Sequence, residues 1–458
     1  MTNLVIQIGR KEAYDEGAQQ VLNSLTLPVM EYARSSGLLS DLELKLHVNM
    51  KTVRYSPQDK LKELLCSIVA GCEHTVSINH RLVPDTALAR ELIGKERFAD
   101  QSGINRLLHA FTDENLAELE EAYQQDYTLN GRAWRHPVEE PLVVDVDMSG
   151  FRADGKEYEG AQKGHIERAR KGCRGYKASL AYVYGEKEIL GAVIDGGKAV
   201  ESTHIDRVME LVQRRIGSTS VRRIILRGDA KYGTSTIVDR CLEKRYLFLF
   251  KGANYTSARK YARRIKGWVK VLDKEDEEIY AGELRAKLPH SRYRTRIVVF
   301  RSVSKKKEEE KRRETDEDRK RRKKKEFWHL VTNLHESLYT PKQLLEMYHE
   351  REAMEAYIKT DKSGLHLKNL RTRSLTGIRA FLLLTCMVHN LIVHAIRSMK
   401  SVIKHGSMGV KAFVEKLACA RAWFVRKGEV LMLLFTEENP VIKQYLRYTR
   451  GPTLLDYT

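Results

Sequence analysis

Tyr348, Arg351, Glu355 and Lys362 share one segment with the spacing Y-x2-R-x3-E-x6-K. With each helical residue turning about 100°, they fall at roughly 0°, −60°, −20° and −40° around a helix axis. One strip would then carry a phenol, two cations and a carboxylate. A metal-dependent enzyme acting on a nucleic-acid backbone needs that set: the acid holds a divalent ion and the cations hold the strand. A solvated amphipathic helix can carry the same charges with no chemistry attached.

Two aspartates offer that glutamate partners. Asp147 follows LVVDV and precedes Met-Ser-Gly, while Asp229 follows IILRG and precedes AKYG. Ligand sites in open α/β sheets gather at strand ends, so a carboxylate closing a run of Val, Ile and Leu points to chemistry. A turn or a helix cap uses Asp in the same place. Asp147, Asp229 and Glu355 together are a hard-oxygen set able to hold two Mg²⁺ or Mn²⁺ ions about 3.5–4 Å apart, activating water and steadying the leaving oxygen of a phosphodiester. Asp145 competes with Asp147, since it lies two residues earlier on the same strand face. Asp147 is preferred because the strand gives way to Ser-Gly there.

The elements that must position these residues follow from hydrophobic periodicity. Residues 1–137 read mainly as helices. Asp85 caps a helix that runs to Ile93 and stops at Gly94, and Ser102 caps a second carrying Ile104, Leu107, Leu108 and Phe111 at helical spacing. As a helix-turn-helix, this pair would place Asn105 and Arg106 at a DNA groove; as an ordinary helical hairpin it would not. Residues 138–255 give three strands, a helix, a strand, a helix and a strand, which is an α/β layer with a mixed sheet. Residues 256–334 read as a β-rich insertion of antiparallel strands. Within it, 305–326 contains only one uncharged residue, Thr315, so it cannot bury a core and is expected to be an exposed tip or a DNA contact. Residues 335–400 return to helix, with Thr340-Pro341 as a start signal and an apolar helix near 377–398 that must be buried. Residues 401–458 read as a C-terminal helical extension with an apolar run, VLMLLF.

Composition narrows the partner. Lys and Arg number 81 against 61 Asp and Glu, a net charge of +20 over 458 residues, which favours a polyanion, nucleic acid first. The start, MTNLVIQIGRKEAYDEG, lacks the sustained apolar core of a signal peptide. The stretch from Ala380 to Ile396 is interrupted by Thr385, His389, Asn390 and His394 and falls short of a membrane span. Six cysteines without a CxxC pair fit a reducing compartment, so the expected location is cytoplasmic, at the nucleoid. Cys66, Cys72, His74 and His80 lack zinc-site spacing and read as core packing.

Asp147, then DAKYG at Asp229, then the Y-x2-R-x3-E-x6-K segment at Glu355, resemble the catalytic signature of the DDE insertion-sequence transposases, specifically the cut-and-paste group carrying the YREK motif. FADQSGINRLL, FWHLVTNL and MVHNLIVHAI add to the likeness, which spans roughly residues 60 to 400. The resemblance implies an α/β, ribonuclease H-like mixed-sheet core interrupted by the β-rich insertion, behind a helical N-terminal DNA-binding domain. It implies a DNA transposase that binds the terminal inverted repeats of its element, cleaves a strand to free a 3′-OH and joins that end to target DNA. A homodimer would pair the two ends. Asp147, Asp229 and Glu355 would be the ligands of two Mg²⁺ or Mn²⁺ ions. Tyr348, Arg351 and Lys362 would grip phosphates near the cleaved end, and Trp328 would stack on a displaced base or else pack in the core. Two rivals stand beside this reading. One is a transposase-derived DNA-binding protein that has lost catalysis; the other is a tyrosine recombinase, evoked by His165-x-x-Arg168, which needs no metal and no acidic triad.

Overall fold

The computed structural model describes residues 3–9, 18–51, 54–136, 140–166, 172–217, 223–253, 255–305, 315, 317, 326–352, 363–404, 408–428, 430–447 and 453–454. Two short strands, β1 (Asn3–Gly9) and β2 (Gln19–Val21), precede seven helices: α1 (Thr26–Ser35), α2 (Leu38–Lys45), α3 (Pro57–Val69), α4 (Thr75–Arg81), α5 (Thr86–Ile93), α6 (Gln101–Ala110) and α7 (Asp113–Asn130). Local chemistry sets their ends. Ser56 and Asp59 form a reciprocal capping box before α3, whose Leu61, Leu64, Leu65 and Ile68 are buried at helical spacing. Asp85 accepts from the Leu88 amide to cap α5, and Gly94 ends it at φ +64°, a conformation that glycine adopts without strain.

The start of α6 differs from expectation. Its cap is Asp100, which accepts from the Ser102 and Gly103 amides and from the Ser102 hydroxyl, because a carboxylate is the stronger acceptor. α5 packs chiefly on β2 and α3, and α6 chiefly on α3, α4 and the helix Leu375–Ser398, so neither helix of the expected helix-turn-helix has the other as its main support. Asn105 and Arg106 are nonetheless exposed.

From β3 (Leu142–Arg152) the chain builds a ten-stranded mixed sheet with β4 (Gln162–Gly164), β5 (Cys173–Val183), β6 (Glu188–Gly196), β7 (Ile224–Gly233), β8 (Leu247–Gly252), β9 (Val269–Asp273), β10 (Glu277–Lys287), β11 (Arg294–Ser304) and β12 (Phe327–Thr332). Helices α8 (Glu201–Ile216), α9 (Ser235–Glu243) and α10 (Tyr255–Ala262) interleave with the strands. The order is β4-β5-β3-β7-β8-β12-β11-β10-β9, with β6 also on β5. β3, β7 and β8 run parallel, as strands joined through crossover helices must, and β5 and β6 form the expected antiparallel hairpin. β12 pairs antiparallel with β8, so the insertion strands extend the same sheet.

Period-two alternation gives this sheet two apolar faces. Val144, Val146, Leu226 and Phe248 join one core with α8 and the helix α12 (Leu375–Ser398), whereas Ile225, Leu249, Val298 and Leu330 meet Leu344 and Leu345 of α11 (Pro341–His349) on the other. Asp145, Asp147 and Arg227 are in phase with the α11 side. α12 is long and apolar enough to cross a membrane, yet 89% of its apolar window is buried inside the protein. The polar residues that interrupt it have internal partners: Asn390 bonds the Ile189 backbone, and His394 Nε2 lies 2.9 Å from Glu188 Oε1. Cys66 and Cys72 sit in the core, where burial pushes both thiols up, Cys72 to about 11.

Residues 401–458 combine short helices, at Val410–Ala412, Phe413–Ala418 and Pro440–Tyr445, with strands. β13 (Ala422–Lys427), β14 (Val430–Thr436) and β15 (Thr453–Leu454) join β1 and β2 in a five-stranded sheet ordered β15-β1-β14-β13-β2. VLMLLF is β14, parallel to β1, with Leu431, Leu433 and Phe435 alternately buried. Its partner strand comes from the opposite end of the chain, and that long-range pairing outweighs the helix propensity of Leu and Met.

Candidate active site

The register of β3 and β7 sets Asp145 beside Arg227 and Val146 beside Gly228. One step past the last residues that β3 and β7 pair stand Asp147 and Asp229, both within strands that run on to Arg152 and Gly233, so two carboxylates stand at the same level. Both are partly exposed, Asp147 by 24% of its side chain. Asp229 Oδ1 accepts from the Lys231 amide at 2.9 Å, a local turn bond that fixes the carboxylate. Gly228 must be small here, because a Cβ would come 2.8 Å from the ring of buried Tyr232, folded back against it.

Asp145 is satisfied internally. It and Arg227 are both fully buried, and Arg227 Nε and Nη2 each donate to one of its carboxylate oxygens at 2.6 Å. Burial pushes the Asp145 carboxyl above its ordinary value and the guanidinium pulls against that. Arg227 Nη1 donates to the Met347 carbonyl and lies 3.6 Å from Glu350 Oε2, and the guanidinium lies 4.6 Å from the centre of the Tyr184 ring. One side chain therefore ties β3, β7 and the end of α11 together. Sequence reasoning missed Arg227. Its signal was a cation inside the apolar run IILRGD, in phase with a buried position.

α11 begins as expected, with Thr340 and Gln343 in a capping box and Pro341 in the first turn. It ends at His349; Glu350 is a turn residue, and helix resumes at Arg351 and Glu352. The continuous strip expected from Tyr348 onward is interrupted there, and Glu355 and Lys362 lie outside the described residues. Arg351 is 3% exposed and donates from Nη2 to Asp147 Oδ1 at 3.2 Å. In this structure the Arg351 guanidinium rests on Asp147, where a grip on phosphate was expected. Tyr348 packs partly buried on the α11-side core.

Trp328 is half-buried on β12. Its ring stacks on Phe300 with centroids 4.2 Å apart, His349 lies 6.4 Å from it, and the Lys251 ammonium stands 6.0 Å from its centre. The face toward Phe300 is closed to a base. Most of the charged run 305–326 and the recombinase-like Arg168 lie outside the described residues.

The donor chemistry fits a hard divalent cation. Two carboxylates stand level on adjacent parallel strands, with oxygen ligands of the kind Mg²⁺ and Mn²⁺ prefer. No cluster of three metal-ligating side chains forms among the described residues, and Glu355, the expected third ligand, is not one of them.

A family model described as transposase DDE domain group 1 matches residues 21–450 of this chain. Among curated proteins none matches. Among solved structures, the piggyBac transposase synaptic complex with hairpin DNA, determined by cryo-EM, aligns with a TM-score of 0.42 and 11% identity over 86% of this chain and 79% of that one.

Proposed function

The chain belongs to the DDE transposase family, domain group 1, and from that membership we propose that it is a cut-and-paste transposase of the YREK-motif group, acting on the inverted repeats of its own element. The level pair Asp147 and Asp229 carries this reading, and the buried ion pair of Asp145 with Arg227 supports Asp147 as the first ligand. The strand order β6-β5-β3-β7-β8, interrupted by β9–β12 before the signature segment, supports a ribonuclease H-like core. Asp147, Asp229 and Glu355 would hold two Mg²⁺ or Mn²⁺ ions, which when bound make water or a 3′-hydroxyl nucleophilic and steady the leaving oxygen.

The protein's own residues orient this centre. Arg351 keeps the Asp147 carboxylate aimed, and Arg227 locks the strand bearing Asp147 to the helix that leads into Glu355. The net charge of +20 draws the polyanion in. Lys362 and Tyr348 contact the strand near its cleaved end, and two copies of the chain pair the two ends.

Lys362 and Arg351 then part company. In a salt titration of end binding without divalent ions, Lys362→Ala is expected to lower the slope of log K against log[salt] by about 0.9, the loss of one phosphate contact. Arg351→Ala should leave the slope at the wild-type value and reduce cleavage instead. A slope lowered equally by both would put Arg351 on phosphate and remove its holding role.

A plasmid excision assay tests the function. A marker placed between the inverted repeats flanking this gene should be lost when the chain is expressed. Binding of those repeats with no excision would support the rival reading, a DNA-binding protein that has lost catalysis.

A further inference from the structure

The segment leading into α3 and the segment leading into α6 face each other across an open groove of about 590 Å³. Its lining holds five cations, Lys51, Arg54, Lys60, Arg97 and Arg106, against a single carboxylate, Asp100. Tyr55 joins the two walls by donating from its hydroxyl to the Arg97 carbonyl at 2.9 Å. Lys51, Arg54, Arg97 and Arg106 are exposed on the rim, and none has an ion-pair partner among the described residues.

Lys60 is the unusual member. It is 6% exposed and lines the groove, and among the described residues its ammonium hydrogen-bonds only the Met50 sulfur, at 3.7 Å. A buried ammonium without a carboxylate is costly. Asp59 and Glu63 offset that burial only in part, and neither pairs with the ammonium directly. Asp59 is engaged by the Ser56 amide and Asp100 by the first turn of α6, while burial raises the Glu63 carboxyl to about 8, leaving it mostly protonated at neutral pH. Burial and the Arg106 charge hold the Lys60 ammonium below its ordinary pKa. The lysine is poised for an anion that the chain does not supply.

We propose that this groove is a phosphate-binding site for the backbone of duplex DNA, with Lys60 at its floor and Arg54, Arg97 and Arg106 along its rim. This deepens the transposase reading and rests on it for the identity of the polyanion. It also gives Arg106 a role other than reading bases: a backbone contact that sets position and carries no sequence information. An open groove edged by four exposed cations suits a chain of phosphates better than one free ion.

The experiment is a salt titration of the full-length protein on labelled duplexes without divalent ions, using the triple variant Arg54→Gln, Arg97→Gln, Arg106→Gln and, separately, Lys60→Met. The triple variant is expected to lose about 0.9 in slope for each contact removed, equally on end DNA and on unrelated duplex. Lys60→Met should weaken binding yet melt at or above the wild-type temperature, because it removes a buried unpaired charge. Wild-type slopes in both groove variants, with the parent still binding DNA, would overturn the groove and leave the transposase reading intact. Inorganic phosphate that raises the melting temperature through Lys60 while DNA slopes stay unchanged would overturn the choice of DNA. Failure of the parent to bind any duplex would overturn both readings, whereas lost excision with groove-dependent binding retained would count only against the catalytic one.

Discussion

Asp147→Asn is expected to reduce strand cleavage at the element's ends by about 10³-fold or more while melting close to the wild-type temperature. A carboxylate that binds the metal pair contributes to transition-state charge stabilisation worth several kcal/mol, and each 1.36 kcal/mol is tenfold in rate. The fold should tolerate the change. Asp147 is partly exposed, and an asparagine oxygen can still accept the Arg351 bond seen at 3.2 Å. Asp229→Asn should behave in the same way, since its local bond to the Lys231 amide also needs only an oxygen. Cleavage by either variant at a tenth of the wild-type rate or better would remove that aspartate from the centre.

Arg227→Met is expected to act on stability, lowering it by about 3–5 kcal/mol, because it strands the fully buried Asp145 carboxylate without its partner. Domain stabilities are about 5–15 kcal/mol in total, so the effect on a urea or thermal unfolding curve is large. The double variant Arg227→Met with Asp145→Leu removes both charges and should recover most of the loss, since an apolar pair can replace a buried ion pair. Whatever activity is lost in Asp145→Asn should track the folded fraction, in contrast to Asp147→Asn. A loss below about 1 kcal/mol for Arg227→Met, the range of an exposed pair, would contradict the buried hub.

Local signals held at most places where the physics was local, the cap of α6 at Asp100 instead of Ser102 being an exception. The Asp85 cap and the Gly94 stop, the Thr340-Pro341 start, the hairpin of β5 and β6, and the four insertion strands all depend on residues close together in the chain. Asp147 and Asp229 were legible as carboxylates closing apolar runs, but they are not strand ends: β3 runs on through Ser149 and Gly150 to Arg152 and β7 to Gly233, and the neighbourhood of the two acids came from the parallel register of these strands. That register, joining segments 82 residues apart, also decides that Asp145 is neutralised by Arg227, which no spacing rule could show. The strip of four residues was drawn on an ideal helical wheel, which assumes continuity, and the turn at Glu350 breaks it. VLMLLF was opaque because its strand partner, β1, begins at Asn3.

We propose that Asp147, Asp229 and Glu355 together support metal-dependent cleavage of the element's own ends. It is tested most directly by incubating purified protein with labelled end DNA and Mg²⁺, with and without chelator, beside Glu355→Gln. The account predicts a nick that exposes a 3′-hydroxyl, abolished by chelator and by Glu355→Gln although end binding persists. Cleavage that survives chelation, or a tyrosine-linked protein–DNA adduct at the cut, would contradict it.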